Sequence, residues 1–186
     1  MRPFVLTSSR LCLNQPTAAD VALIAAYCQD PVFERFMTLP WPYTVGDAEY
    51  FVTEFVPRGW ANGSEFTWAI RSEPDGPLLG VIGIRMPPAE FGFWIGAPHR
   101  GNGYMPEAVR LVTDWVFTSR FAGVDAVHWE CVAGNTASMA VVKKNGFTFT
   151  GVGPCRLAAR DGSHPDAWHA VLRRDDDTAP KSGWPT

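Results

Sequence analysis

Apolar residues recur at helical spacing in four segments of the chain. The clearest is PEAVRLVTDWVF, in which most apolar residues are three or four positions apart. Two further helices are predicted in TVGDAEYFVTEFV and NTASMAVVKKNG, where Thr44 and Asn135 are typical N-cap residues and Gly146 is a typical stop. A fourth helix is predicted to follow the N-cap residue Thr17.

Strands are predicted where apolar residues alternate with polar ones, or form short runs between turn residues. These segments are SRLCLN, FTWAIR, LLGVIGIRM, EFGFWIG, VHWECV, FTFTGV and DAWHAVL. The resulting order, β-α-α-β-β-β-α-β-α-β-β, predicts one mixed α/β or α+β domain. Residues 173–186 are polar and lack periodicity, so they are predicted to form a tail.

Composition narrows the class of protein. A chain of 186 residues is long enough for one domain with a core of its own. A net charge of −3 does not favour nucleic-acid or membrane-surface binding. The four cysteines are scattered and there is no apolar run near the length of a membrane span, which predicts a cytoplasmic protein. No pair of histidines has the spacing of metal ligands, so no metal is expected.

The stretch HRGNGYMPEA carries the first candidate chemistry. Gly101 and Gly103 lie between a predicted strand and a predicted helix, where bare backbone N–H groups attract anions, and Arg100 adds a positive charge. This pattern indicates a phosphate cradle. It is not a dinucleotide fingerprint, because Pro106 takes the place of the third glycine, and it lacks the G-K-[ST] of a P-loop. A flexible glycine loop is the alternative.

The surrounding residues resemble a known family. RGNGYM fits the pattern R-x-x-G-x-[GA] except at Met105, and with FGFWIG before it and PEAVRLV after it, it resembles the coenzyme A motif of the GNAT N-acetyltransferases. NTASMAVVKKNGF is similar to the second coenzyme motif of that superfamily. LTSSRLCLN looks like the opening strand of its RimJ/RimL-like branch, the ribosomal-protein alanine acetyltransferases, although Asn14 stands where arginine is common. The resemblance covers residues 6–172 and implies a single domain over residues 1–172, followed by the tail.

The resemblance implies a mixed, mostly antiparallel sheet flanked by helices, in which the fourth and fifth strands (residues 90–96 and 127–132) splay apart. Acetyl-CoA is then expected to enter the gap as a co-substrate, with its pantetheine arm on the backbone of Trp94 and Ile95. The residues implied to hold the rest of the coenzyme are Arg100, Gly101, Asn102, Gly103, Tyr104, Met105 and Asn135.

The resemblance also suggests catalytic residues. Many relatives carry a tyrosine as general acid where this chain has Val142, so Ser138, one turn earlier, is the predicted replacement; its alternative role is a serine that bonds the backbone at a helix start. Glu90 is the predicted base, acting through a water molecule, and its alternative is an ordinary solvated carboxylate. Glu130 and Asp166 are weaker candidates.

The acceptor is expected to be a peptide N-terminal α-amine or a small, partly apolar amine. The predicted contacts are Phe36, Trp41 and His169, and other aromatic residues, Phe33, Tyr43, Trp60 and Trp68, either join this apolar wall or fill the core. Other functions remain open: a catalytically silent acyl-CoA-binding or sensing module, a polyamine or antibiotic acetyltransferase, and an unrelated nucleotide-binding enzyme. The aromatic residues and the tail also suggest a homodimer.

Overall fold

A computed structural model describes residues 1–119 and 123–186, and within these ranges eight strands form one sheet in the order β1-β2-β3-β4-β5-β6-β8-β7. The strands are β1 (Leu6–Thr7), β2 (Cys12–Asn14), β3 (Glu65–Arg71), β4 (Gly80–Arg85), β5 (Glu90–Ile95), β6 (Ala126–Val132), β7 (Thr148–Pro154) and β8 (Asp166–Arg173). The helices are α1 (Val21–Tyr27), α2 (Pro31–Phe36), α3 (Val45–Tyr50), α4 (Val56–Asn62), α5 (Tyr104–Thr118) and α6 (Thr136–Lys144), and a π-helical turn (Phe51–Phe55) joins α3 to α4.

The sheet is antiparallel except where β5 meets β6. In the described part of the sheet these two parallel strands pair at Glu90 with His128 and at Phe91 with Trp129. Beyond those positions the two strands diverge, and the edge of β5 that faces β6 is no longer paired with it. The predicted mixed sheet with two splayed strands is therefore confirmed.

Most predicted helix starts are present. Thr44 and Asp47 form a reciprocal capping box at α3, and the Asn135 side chain accepts from the Ser138 N–H at 3.1 Å to cap α6. Helix α2 was not predicted. It forms because Asp30 accepts from the Val32 N–H at 3.0 Å, and a proline occupies the first helical position.

The opening strand differs from its prediction. The segment SRLCLN was expected to be one strand, but the chain forms a small hairpin, in which the Ser8 N–H donates to the Leu11 carbonyl at 2.9 Å between β1 and β2. The apolar alternation of this segment therefore describes β2 and the end of the turn. The hairpin places Arg10 beside the start of α5.

Trp60 and Trp68 belong to the core, and their inclusion in an acceptor wall is wrong. Both are at most 1% exposed, and their rings meet edge to face with centroids 5.1 Å apart. Their indole N–H groups donate to the carbonyls of Thr67 and Phe4, at 3.1 Å in each case. These bonds satisfy both indoles inside the core, so neither ring has a polar group left for a ligand.

The last residues of the chain pack against the domain. Trp184 is 8% exposed, and its ring lies 6.1 Å from that of Trp129 and 5.5 Å from that of Phe149. The backbone of Thr178 lies against Gly146, the stop after α6. One buried aromatic side chain thus fixes a segment whose sequence is otherwise polar.

Candidate active site

A cavity of about 530 Å³ occupies the gap between β5 and β6. It extends from the start of α5, past α6, to α2 and the segment after β7. The candidate residues that line it are Phe36, Glu90, Trp94, Ile95, Arg100, Gly101, Gly103, Tyr104, Met105, Asn135 and Ser138. Asn102, Trp41 and His169 are not among the lining residues. The fold thus brings together most of the residues that the sequence suggested.

The glycine stretch forms a cradle of free amides at one end of this cavity. Gly101 and Gly103 have φ of 80° and 76°, a region that favours glycine, and Gly103 is the N-cap of α5. Among the described residues, no acceptor receives a hydrogen bond from the N–H groups of residues 101–105. Several unpaired N–H donors at a helix start form a binding site for an anion such as a phosphate, and the helix dipole adds partial positive charge there.

The loop before the cradle is fixed by α1 and α2. Arg100 Nη2 lies 2.8 Å from Asp30 Oδ2, the same carboxylate that caps α2. The Tyr27 hydroxyl and His99 Nε2 are 2.9 Å apart. The Asn102 amide donates to two carbonyls of its own loop at 3.2 Å. Asn102 therefore holds the shape of the loop with its side chain, and its free N–H remains part of the cradle.

Met105 departs from the family pattern without filling the cradle. Its side chain is 4% exposed and packs in the core, so it occupies space below the helix start.

Val142, at the position where many relatives carry a tyrosine acid, is fully buried. A tyrosine at position 142 would therefore need room that this core does not provide.

The free edge of β5 offers backbone groups to the gap. The His128 N–H donates to the Ala89 carbonyl at 2.7 Å, which fixes the side of β5 that faces β6. Because successive residues of a strand direct their N–H and C=O groups to opposite edges, Phe93 and Ile95 face the gap. The Trp94 carbonyl instead lies beside Gly80 of β4, so Trp94 lines the cavity without offering its backbone to the gap.

Ser138 lies on the first turn of α6 beside the cavity. Its hydroxyl oxygen accepts from Trp129 Nε1 at 3.1 Å, and its backbone N–H is satisfied by Asn135. The hydroxyl proton is therefore left to donate elsewhere. A serine whose oxygen already accepts a hydrogen bond is a better acid than a free serine, because the donor stabilises the negative charge that develops on proton loss.

Glu90 is buried at the point where β5 and β6 still pair. Its Oε1 accepts from Arg85 Nη1 at 3.1 Å, and its Oε2 accepts from Arg156 Nη1. Burial raises the pKa of the Glu90 carboxyl, the negative charge of Glu130 raises it further, and the nearby guanidinium groups oppose both effects. A carboxylate with a raised pKa that lines a cavity is a candidate general base.

One side of the opposite end of the cavity is apolar. Phe36 lines it together with Phe33, which packs edge to face on Trp94 at 5.7 Å, and with Leu157, which is 43% exposed. His169 does not line the cavity, but its Nδ1 lies 3.5 Å from Oε2 of Glu130, which does. An amine with an apolar neighbouring group fits a surface of this kind.

A second groove adjoins the outer side of the cradle. Its lining residues are Arg10, Asn102, Gly103, Pro106, Glu107, Arg110, Lys144 and Asn145. Arg10 is held there by Glu107, to which its Nε donates at 2.9 Å. The groove therefore offers positive charge beside the free amides, where a second phosphate group could bind.

Sequence reasoning missed the charged residues that surround Glu90. Arg85 had a usable signal, because it lies directly opposite Glu90 across the β4–β5 pair. Arg156 had none, because it belongs to an irregular segment 66 residues away. In residues 1–119 and 123–186, no cluster of three or more His, Cys, Asp or Glu side chains could hold a metal ion, and no helix could cross a bilayer.

Comparisons with known proteins agree with this geometry. A family profile described as "Acetyltransferase (GNAT) domain" matches residues 10–148. The chain is 26% identical to "Probable N-acetyltransferase YjcK" of Bacillus subtilis (strain 168) over 141 residues, which are 73% of this chain and 76% of that protein.

Two solved structures share the fold at low identity. One is the RimL ribosomal L7/L12 α-N-protein acetyltransferase in complex with coenzyme A (TM-score 0.77, 18% identity, covering 94% of this chain and 100% of that chain). The other is the microcin C7 self-immunity acetyltransferase MccE in complex with acetyl-CoA and AMP (TM-score 0.75, 18% identity, covering 89% and 93%). With the profile covering most of its length, the chain belongs to the GNAT acetyltransferase family and is an N-acetyltransferase.

Proposed function

We propose that this protein transfers an acetyl group from acetyl-CoA to a primary amine by direct attack of the amine on the thioester. The observation that carries the proposal is the cavity between β5 and β6, which joins the free amides of residues 101–105 to Ser138 and Glu90. A thioester held along this cavity would have its phosphates at one end and its acyl group near both polar side chains.

The cradle and the free strand edge are the proposed coenzyme contacts. The amides of residues 101–105 and Arg100 would bind the pyrophosphate, while the backbone of Phe93 and Ile95 would pair with the pantetheine arm as a further strand does. This assignment keeps Ile95 and replaces the backbone of Trp94 with that of Phe93, whose groups face the gap. Asn135 retains its side-chain N–H₂ for the coenzyme, because its oxygen caps α6.

Three groups of the chain would act on the reacting atoms. A backbone N–H on the free edge of β5 would donate to the acyl oxygen, on which negative charge develops during attack. Ser138 would donate its proton to the departing thiolate. Glu90 would receive the proton of the amine through a water molecule, since a carboxylate has lone pairs left after accepting from two guanidinium groups.

An α-amine suits this site better than a lysine-type amine. At pH 7, deprotonation costs about 1 kcal/mol for an α-amine with pKa about 7.7–8.0, and about 4.6 kcal/mol for a lysine-type amine with pKa about 10.4. A buried carboxylate that already binds two guanidinium groups is a modest base and favours the smaller cost. The RimL neighbour, named as an α-N acetyltransferase, supports the same choice.

A catalytically silent acyl-CoA-binding module is the second candidate, favoured by the fully buried Val142 at the position where many relatives carry the acid. The test is release of coenzyme A from acetyl-CoA with a panel of peptides and small amines, followed by mass spectrometry of the products. We expect peptides with free α-amines to be acetylated most rapidly. Binding of acetyl-CoA without turnover of any amine would refute the enzymatic proposal and support the silent module.

A further inference from the structure

Arg156 connects two carboxylates at the end of the cavity opposite the cradle, where the amine is proposed to bind (the acceptor end). Its Nη1 donates to Glu90 Oε2, and its backbone N–H donates to the two oxygens of Glu130 at 3.1 and 3.3 Å. Its Nε also lies 3.9 Å from Glu130 Oε2. Both carboxylates line the cavity wall. Arg156 therefore already pairs with the two acidic groups that an incoming amine would contact.

Arg156 is not among the residues that line the cavity, and it contacts the two carboxylates as the more exposed partner. Its side chain is 45% exposed, whereas those of Glu90 and Glu130 are 6% and 12% exposed. The two acids are thus largely removed from water, and a carboxylate in that position needs a cationic partner. The guanidinium of Arg156 supplies one from a partly exposed position.

The other cationic groups cannot replace Arg156. Arg85 is shared, with Nη1 3.1 Å from Glu90 and Nε 3.7 Å from Glu65, which does not line the cavity. Within residues 1–119 and 123–186, the other cationic group that pairs with Glu130 is His169, at 3.5 Å, which carries charge only when protonated. Arg156 therefore sets the charge balance at the acceptor end.

We propose that Arg156 is a specificity-determining residue that excludes diamines and polyamines and restricts the acceptor to amines with a single positive charge. This inference rests on the proposed function and names the substrate class of the same site. A monoamine gives up its one charge before it attacks. A diamine must also place a second ammonium group in or near the cavity. The carboxylates there already have cationic partners, so that group loses water without gaining an unpaired negative charge.

The test compares two acceptors in matched variants. We would measure kcat/KM for cadaverine and for a neutral peptide amide with a free α-amine, and take the ratio of the two. In Arg156→Gln both carboxylates lose the guanidinium of Arg156, and the second ammonium group can take its place. We expect the diamine-to-peptide ratio to rise about tenfold or more, equivalent to about 1.4 kcal/mol of preference.

Arg160→Gln is the matched control. Arg160 belongs to the same segment, and the change removes the same charge. Its guanidinium donates to the carbonyls of Glu34, Met37 and Leu39, and among the described residues it donates to no carboxylate. A general electrostatic effect of losing one arginine from this segment would raise the ratio in both variants. We expect a rise with Arg156→Gln alone, and an equal rise in both would overturn the proposal.

A second variant tests the same balance in the opposite direction. Glu130→Gln removes one acid and leaves Arg156 in excess, so the ratio is expected to fall below that of the wild type. This measurement decides the question even if circular dichroism shows that Arg156→Gln does not fold. A wild-type protein that prefers cadaverine, or ratios that do not move, would overturn the inference while leaving an active acetyltransferase. If the wild type acetylated no amine at all, the proposed function would fail, and the inference with it.

Discussion

Trp184→Ala should destabilise the whole domain, although the residue lies in a polar terminal segment. A buried tryptophan removes roughly 150–250 Å² from water, which at about 25 cal/mol per Å² corresponds to an upper limit of about 4–6 kcal/mol. Trp184 Nε1 is buried and has no hydrogen-bond partner among the described residues, which offsets about 1–3 kcal/mol of that gain. We therefore expect the free energy of unfolding to fall by about 2–4 kcal/mol.

Urea unfolding followed by circular dichroism would measure this loss, and the melting temperature should drop by about 5–15 °C. Trp184→Phe is the matched control, because phenylalanine keeps a ring against Trp129 and Phe149 and removes the unpaired N–H. Its free energy of unfolding should stay within about 1 kcal/mol of the wild type. An alanine variant as stable as the wild type would show that the terminal segment does not pack on the domain in solution, and the reasoning would be refuted.

Three further predictions concern the active site. Gly103→Val should abolish acetyl-CoA binding, measured by calorimetry. Gly63→Val is the control, because Gly63 has a similar φ of 73° and open space around it, so this variant should share the backbone strain but keep binding. Equal affinity in both variants would place the cradle elsewhere. Ser138→Ala should lower kcat by about ten- to a hundredfold with little change in acetyl-CoA binding, and it leaves Trp129 Nε1 without its acceptor; an unchanged kcat would return the serine to a structural role. Glu90→Gln should lose most activity near about pH 6.5 and recover part of it by about pH 9, where the acceptor amine deprotonates without help, and a pH–rate profile parallel to that of the wild type would remove Glu90 as the base.

The sequence predicted the coenzyme end of the site better than the acceptor end, for a physical reason. The cradle is local: Gly101, Gly103 and the start of α5 are neighbours in the chain, so their spacing describes their geometry. The Asn135 cap is equally local. Periodicity also placed β5 and β6, and the resemblance to the family supplied their splay, which no local pattern contains.

The acceptor end depends on contacts between distant segments. Arg156 meets Glu90 across 66 residues, and Arg160 meets Glu34 across 126, so no spacing pattern could reveal either pair. Aromatic residues gave an ambiguous signal, because core packing and pocket lining select the same side chains. Trp60 and Trp68 proved to be core residues, while Phe36 lines the cavity.

The alternation of β6 explains how one strand serves both ends of the proposed reaction. Trp129 faces α6, where its N–H bonds the Ser138 hydroxyl and its ring supports Trp184. The next residue, Glu130, projects from the opposite face, because successive side chains of a strand alternate, and there it meets Arg156. A one-residue shift of β6 against β8 would exchange these faces. It would separate Trp129 from Ser138, the proposed general acid, and Glu130 from Arg156. The antiparallel pairing of β6 with β8, from Ala126 to Val132, therefore fixes the register of β6. The pairing of β6 with β5 is too short to do so, and it leaves the other edge of β6 open to the cavity.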